Sequence, residues 1–208
     1  MKEKELERLT KIKEIEKELY QKGFKNICGI DEAGRGPLAG PVVIAGVIMP
    51  QDSMIEGVND SKKVSEKKRK KLYDIILEEA ISYSVAIVGQ DVIDEVNILN
   101  ATKQGVTEVV DGLDVKPDLI LVDALERINT RGIPYEPIIK GDAKCYNIAA
   151  ASIIAKVTRD RIMREWDEIY PQYGFINHKG YGTAKHIAAI KEYGLCPIHR
   201  RSFTKKFV

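Results

Sequence analysis

The chain has 208 residues, 44% hydrophobic and 31% charged, which fits one globular domain able to bury a core without disulfides or structural metal. The formal net charge of +2 does not mark the whole surface for a strongly charged partner, although local basic runs can still hold phosphates. Cys28, Cys145 and Cys196 are scattered with no CxxC pair, which argues against a disulfide framework and a zinc cluster.

The start of the chain is charged and the longest apolar stretch, 148–155, is too short to span a bilayer, so neither a signal peptide nor a membrane partner is expected and the location is read as cytoplasmic. Residues 1–25 predict an amphipathic helix. Leu6, Leu9, Ile12, Ile15 and Leu19 recur at helical spacing between Lys and Glu, and Gly23 can stop the helix. This helix is expected as an appendage packed on a main domain of residues 26–208. Ile27-Cys28-Gly29-Ile30-Asp31 reads as a buried strand, followed by a loop dense in Gly and Pro. Residues 42–49, rich in β-branched side chains, read as a second strand.

Residues 61–80 read as a loop and then a helix with Leu72, Ile75, Ile76 and Ala80 on its inner face, and 81–88 as a third strand. Lys62, Lys63, Lys67, Lys68, Arg69, Lys70 and Lys71 crowd this segment, and Arg200, Arg201, Lys205 and Lys206 form a second basic run. Such runs either solvate a helix face or meet phosphates. Helical spacing returns from Ile98 through Ala101, Val106 and Val109 to Leu113, before the short buried strand Leu119-Ile120-Leu121-Val122-Asp123. Pro134 and Pro137 flank another extended piece ending near Lys140. A long helix is expected over 146–169, with Ala149, Ile153, Ile154, Val157, Arg161 and Trp166 along it, and a last helix between a Thr183 cap and Gly194. Hairpin-connected strands followed by strands alternating with helices predict an α/β domain: a mixed sheet flanked by helices.

Among the 31 acidic residues, Asp31 and Asp123 stand out because each ends an apolar run. A carboxylate there must bind a cation, find a donor or reach solvent, and a simple turn cap satisfies it equally well. Glu32 follows Asp31, and neighbouring side chains in a regular strand face opposite ways, so both reach one ion only if the strand bends or ends. Asp142, in Gly141-Asp142-Ala143-Lys144, is a helix-start acid favoured by the dipole. A set of four carboxylates would favour a hard cation such as Mg²⁺ or Mn²⁺.

Six blocks run in order along the chain. The first is Asp31-Glu32-Ala33-Gly34-Arg35-Gly36-Pro37-Leu38-Ala39-Gly40-Pro41. Asp60-Ser61-Lys62-Lys63 and Leu121-Val122-Asp123 follow. Gly141-Asp142-Ala143-Lys144 comes next, with the run from Ala149 to Asp160 behind it. His178-Lys179-Gly180-Tyr181-Gly182-Thr183 and His199-Arg200-Arg201-Ser202-Phe203 complete the set. Together they resemble the bacterial ribonuclease HII family, over about residues 27 to 203, with the initial helix outside the resemblance.

The resemblance implies a ribonuclease H-like fold in which Asp31, Glu32, Asp123 and Asp142 hold two Mg²⁺ or Mn²⁺ ions, Asp31 bridging them. It implies an endonuclease acting, as a monomer, on RNA–DNA hybrids and on ribonucleotides embedded in duplex DNA, leaving a 3′-hydroxyl and a 5′-phosphate. Gly34, Arg35 and Gly36 would sense the ribose 2′-hydroxyl, Tyr181 would pack on the neighbouring sugar, and Lys62 and Lys63 would meet phosphates; Lys144, Lys179 and Arg200 would also face the nucleic acid. From spacing alone, Gly34-Arg35-Gly36 is a tight turn and Tyr181 a half-buried core residue. Two positions depart from the family pattern: Ala124 stands where Gly is frequent, and Cys145 where Ser is frequent. Type 3 relatives share similar acids but lack the Gly-Arg-Gly pattern.

Overall fold

In the computed structural model, which describes residues 2–208, β1 (Ile27–Ala33) occupies the middle of a five-stranded sheet. On one side it pairs antiparallel with β2 (Val42–Ile48), which pairs antiparallel with β3 (Ser82–Val88). On the other side it pairs parallel with β4 (Leu119–Asp123), which pairs parallel with β5 (Tyr135–Ile138). The mixed sheet anticipated from element order is therefore present. Every residue of β2 is buried, as its unbroken apolar run requires of a strand covered on both faces.

Alternation divides that strand between two cores. Val43, Ala45 and Val47 point towards α6 (Tyr146–Ile169), whereas Val42, Ile44 and Ile48 point towards α4 (Gln90–Asp111). The α6 face is lined with Ala149, Ala150 and Ala151, so helix and strand backbones approach closely. At Gly29 in β1 a Cβ would stand 2.2 Å from the Asn147 carbonyl carbon; only glycine fits under the first turn of α6.

The N-terminal segment is two helices, α1 (Glu3–Ile12) and α2 (Glu14–Gln21), not the one helix its periodicity predicts. The break falls at Lys13 (φ −96°, ψ 2°), whose ammonium donates to the Gln51 and Ser53 carbonyls at 2.8 and 2.6 Å. No Gly or Pro marks this break, so side-chain spacing cannot reveal it. Leu9 and Ile12 join the core under α6, and Leu19 packs with Ile27, Leu119 and Ile148. Leu6, assigned to the same stripe, is half exposed.

Glu16 of α2 is buried and its Oε1 accepts the Asn147 amide at 3.0 Å. Cys145, the N-cap residue of α6, offers no side-chain cap, so the acceptor that a Ser would place there comes instead from a distant helix.

Elsewhere the differences are local. In α3 (Glu66–Glu79), capped by Ser65, Leu72 and Ile76 are buried but Ile75 is 44% exposed. The helix α4 starts at Gln90, well before the expected Ile98, and is interrupted at Asn97, where φ is 68° and the side-chain oxygen caps the restart through the Asn100 amide. Beyond α5 (Gly141–Lys144) and α6 come α7 (Phe175–His178) and α8 (Ala184–Tyr193), the latter capped by Thr183 and ended at Gly194 as anticipated. A short α9 (Arg201–Thr204) follows, so α8 is not the last helix. Among the described residues no helix is long and apolar enough to cross a membrane.

Burial pushes the Glu16 carboxyl up to about 7. Its folded value exceeds its unfolded one, so it favours folding while protonated, and that contribution is lost as pH rises from 4.5 through about 7. Glu16→Gln keeps an acceptor for Asn147 without the charge. Its urea-unfolding free energy is expected to be flatter with pH than wild type, by on the order of 3 kcal/mol across that window. Parallel profiles for the two proteins would refute this reading of Glu16.

Candidate metal centre and cleft

The pairing of β1 with β4, with Ile30 opposite Val122, brings Asp31 and Asp123 to corresponding places on neighbouring strands. Asp142 arrives from α5, after a turn in which Lys140 takes φ 58°. The Asp123 Oδ1 accepts the Gly141 amide at 2.7 Å and so ties the end of β4 to the start of α5. One carboxylate oxygen from each of Asp31, Asp123 and Asp142 lies within 4.8 Å of the others.

Glu32 is not in this trio. The strand neither bends nor ends at Asp31: Glu32 pairs with Ile44 and Ala33 with Val43. Glu32 Oε1 lies 3.4 Å from Arg35 Nη1 instead, while Asp123 remains near enough to act on its charge.

Burial, then the charges of Glu32 and Asp123, hold the Asp31 carboxyl well above the usual range. Burial also raises Asp142, with Asp60 and Asp123 adding to it; Lys62, whose Nζ is 3.4 Å from Asp142 Oδ2, works the other way. A mostly exposed lysine offsets little of this repulsion. Crowded carboxylates with only oxygen donors fit a hard divalent cation, which removes the cost of ionising them together.

Asp31, Glu32, Gly34, Arg35, Gly36, Lys62 and Tyr181 share one open cleft of about 230 Å³. Gly34 has φ +99°, and a Cβ there would meet Arg159 Nε at 2.1 Å. Across the cleft a Cβ on Gly36 would stand 3.7 Å from the Tyr181 ring. Tyr181 is 46% exposed, so it is a cleft residue and not the core tyrosine that spacing alone suggests. Lys63 does not line this cleft; it borders a separate hollow with Arg8, Lys11 and Lys144 beside α1 and α2.

Arg200, which the resemblance would put against the nucleic acid, is turned inward. It is fully buried, donating from Nη2 to the Gly34 carbonyl (2.6 Å), from Nη1 to Arg35 (2.9 Å) and from Nε to Gly40 (2.9 Å). Sequence reasoning missed its counterpart Arg159, which donates to the carbonyls of Pro41, Lys179 and Ala39 at 2.9, 2.9 and 3.0 Å. The signal was present, since Arg159 stands four residues after Ala155 and four before Met163, both buried on α6, whereas Arg161 is turned to solvent. From the basic run, Arg69 also turns inward, to the carbonyls of Ser61 and Val64, and braces the turn that carries Lys62.

A family profile described as Ribonuclease HII matches residues 28–206. The chain belongs to the ribonuclease HII family. A ribonuclease HII from Acetivibrio thermocellus is 59% identical over 206 residues, covering 99% of this chain and 80% of that one, an alignment that takes in α1 and α2. The crystal structure of ribonuclease H2 from Pyrococcus horikoshii superposes with a TM-score of 0.75 at 29% identity, over 88% of this chain and 96% of that one. Bst-RNase HIII in complex with Mn²⁺ shares the fold, with a TM-score of 0.62 at 18% identity over 84% and 65% of the two chains. As a ribonuclease HII, the protein is a divalent-metal-dependent hydrolase that cleaves the RNA of RNA–DNA hybrids internally.

The Ala124 departure has a backbone consequence in this ribonuclease HII. Directly after Asp123, Ala124 adopts φ 44°, a left-handed conformation that costs a non-glycine residue about 1–2 kcal/mol. Ala124→Gly is expected to stabilise the protein by up to about 1 kcal/mol after the extra entropy of glycine is counted, measured by urea unfolding. A destabilised variant would show that Ala124 is not strained.

The acid cluster makes a second expectation. Asp31→Asn removes a crowded charge and should raise the Tm of the metal-free protein by on the order of 2–4 °C while abolishing cleavage. Mg²⁺ or Mn²⁺ should raise the wild-type Tm more than that of the variant. A lower Tm for the metal-free variant would contradict the repulsion inferred from geometry.

Proposed function

We propose that this ribonuclease HII also cuts on the 5′ side of a single ribonucleotide embedded in duplex DNA, leaving a 3′-hydroxyl and a 5′-phosphate. The observation that carries the reading is the opposition of Gly36 and Tyr181 across the cleft that holds Asp31. A glycine-bordered backbone can approach a ribose closely enough to require its 2′-hydroxyl. A tyrosine ring on the next sugar favours deoxyribose, where that hydroxyl is absent. The two together read a junction.

In this reading Asp31, Asp123 and Asp142, joined by Glu32 once its side chain leaves Arg35, would hold two Mg²⁺ or Mn²⁺ ions. When bound, such ions supply an activated water and stabilise the departing oxygen. The chain's own residues do the positioning. The 34–36 loop orients the ribose, Tyr181 stacks on the adjoining sugar, and Lys62 meets the phosphate near Asp142. Lys63 meets the backbone farther from the cut, beside Lys144.

A labelled duplex with one ribonucleotide, run beside an all-DNA duplex and a long hybrid, tests the reading. Cleavage is expected 5′ of the ribonucleotide and within the hybrid, but not in the all-DNA control. Tyr181→Ala should lose roughly tenfold or more on the single-ribonucleotide duplex relative to the hybrid. Cleavage of the hybrid alone would refute junction reading, and equal cleavage of all-DNA duplex would refute sensing of the 2′-hydroxyl.

A further inference from the structure

The chain has three histidines, His178, His186 and His199, and all three gather behind Tyr181, packed around Phe175. His186 and His199 are buried, with their Nε2 atoms 3.0 Å apart. The neighbours of this pair fix where its protons sit. His186 Nδ1 lies 2.9 Å from the Tyr181 carbonyl, which can only accept, so Nδ1 carries a hydrogen and, in a neutral ring, Nε2 is bare. His199 Nδ1 lies 2.9 Å from the Cys196 amide, which can only donate, so that nitrogen is bare and Nε2 carries the hydrogen. The Cys196 thiol, 3.1 Å from the same nitrogen, can donate to it as well. The Cys196 carbonyl is 3.3 Å away but already takes the His199 amide at 3.0 Å.

The hydrogen between the rings therefore belongs to His199, and the chain of donors runs one way: Cys196 amide to His199, His199 to His186, His186 to the Tyr181 carbonyl. A further proton on either ring would set two N–H groups against each other. Burial accordingly pushes His186 down to about 4 and lowers His199.

The two ends of this relay are the two sides of the cleft. One end is the backbone of Tyr181. The other is the turn that carries Arg200, whose guanidinium holds the Gly34 and Arg35 carbonyls. Leu38 N donates to the Gly180 carbonyl at 2.8 Å, Arg200 N to the Leu38 carbonyl at 2.8 Å, and Ala39 bridges His199. We propose that His186 and His199 are positioning residues that hold Tyr181 in register with the 34–36 loop and so set the preference for a ribose–deoxyribose junction over continuous hybrid. This rests on the reading of Tyr181 given above. A loosened Tyr181 no longer favours deoxyribose at its sugar, while a hybrid, with ribose at every position of that strand, never depended on that choice.

Two measurements test the proposal. In protein labelled with [¹⁵N]histidine, long-range proton–nitrogen correlation is expected to show His186 protonated on Nδ1 and His199 on Nε2, with a nitrogen–nitrogen coupling across the bond between them. His178 should be protonated on Nε2, since its Nδ1 takes the Gly180 amide and its Nε2 faces the Tyr173 carbonyl. A His186 protonated on Nε2, or either buried ring charged at neutral pH, overturns the relay without any variant having to fold. The second measurement compares kcat/KM on the single-ribonucleotide duplex with that on a long hybrid. His186→Phe and His199→Leu should lower that ratio about tenfold. His199→Gln, which returns an N–H donor where Nε2 stood, should recover most of it. Folded Phe and Leu variants with an unchanged ratio overturn the positioning role even where wild type cuts the junction. A wild-type enzyme that leaves the junction uncut overturns the selectivity claim through the Tyr181 reading, and is told apart because the tautomer pattern would stand.

Discussion

Two guanidinium groups sealed among backbone carbonyls fix one wall of the cleft beside Asp31. Arg159 and Arg200 are 1% and 0% exposed, and neither makes an ion pair among the described residues. Burial pushes them down to about 10 and about 9, still charged at neutral pH. What offsets their desolvation is six carbonyl acceptors, from Gly34, Arg35, Ala39, Gly40, Pro41 and Lys179, in bonds strengthened by the charge. A lysine could not replace either, because one ammonium cannot spread three donors over carbonyls from separate turns. With these oxygens turned inward, the loop over residues 34–36 is held at the cleft, which on the proposed reading would lower the cost of ordering it when substrate binds.

The same economy of backbone contacts governs the acid cluster. The first turn of α6 lies directly on Gly29, two residues from Asp31, and is capped by Glu16 from α2. The short α5 that carries Asp142 sits immediately before that turn. The N-terminal helices, although outside the span matched by the family profile, thus bear on the helix that fixes one of the three clustered acids. Their contribution to α6 passes through packing and the Glu16 cap on its first turn.

Much of this was readable from residue order. The strands announced themselves by β-branched runs and α6 by a long periodic stretch, because both patterns are local. The convergence of Asp31, Asp123 and Asp142 was not local: it depends on the parallel β1–β4 pairing, and only the motif resemblance suggested it. Glu32 illustrates the limit, since alternation along a strand warned that it faces away from Asp31, and in the structure it pairs with Arg35 outside the trio. Basic residues were the least readable. Arg69, Arg159 and Arg200 look in sequence like their solvated neighbours, and only the carbonyls they meet distinguish them. The histidine pair was equally silent, because nothing in spacing shows that residues 186 and 199 share one hydrogen.

The parallel contact between β1 and β4 also sets an order of assembly. The residues between these strands include β2, β3 and two long helices, so joining Ile30 to Val122 closes a large loop, and such contacts form late and slowly. A chain emerging from synthesis carries Asp31 and the 34–36 loop early, yet has no second clustered acid until β4 has docked and α5 has folded back against it. On the proposed ligand set, metal affinity would report on completed folding. On the proposed roles of these residues, a half-made chain would hold the 34–36 loop without the means to cut, and a trapped intermediate lacking β4 would be inert as a nuclease.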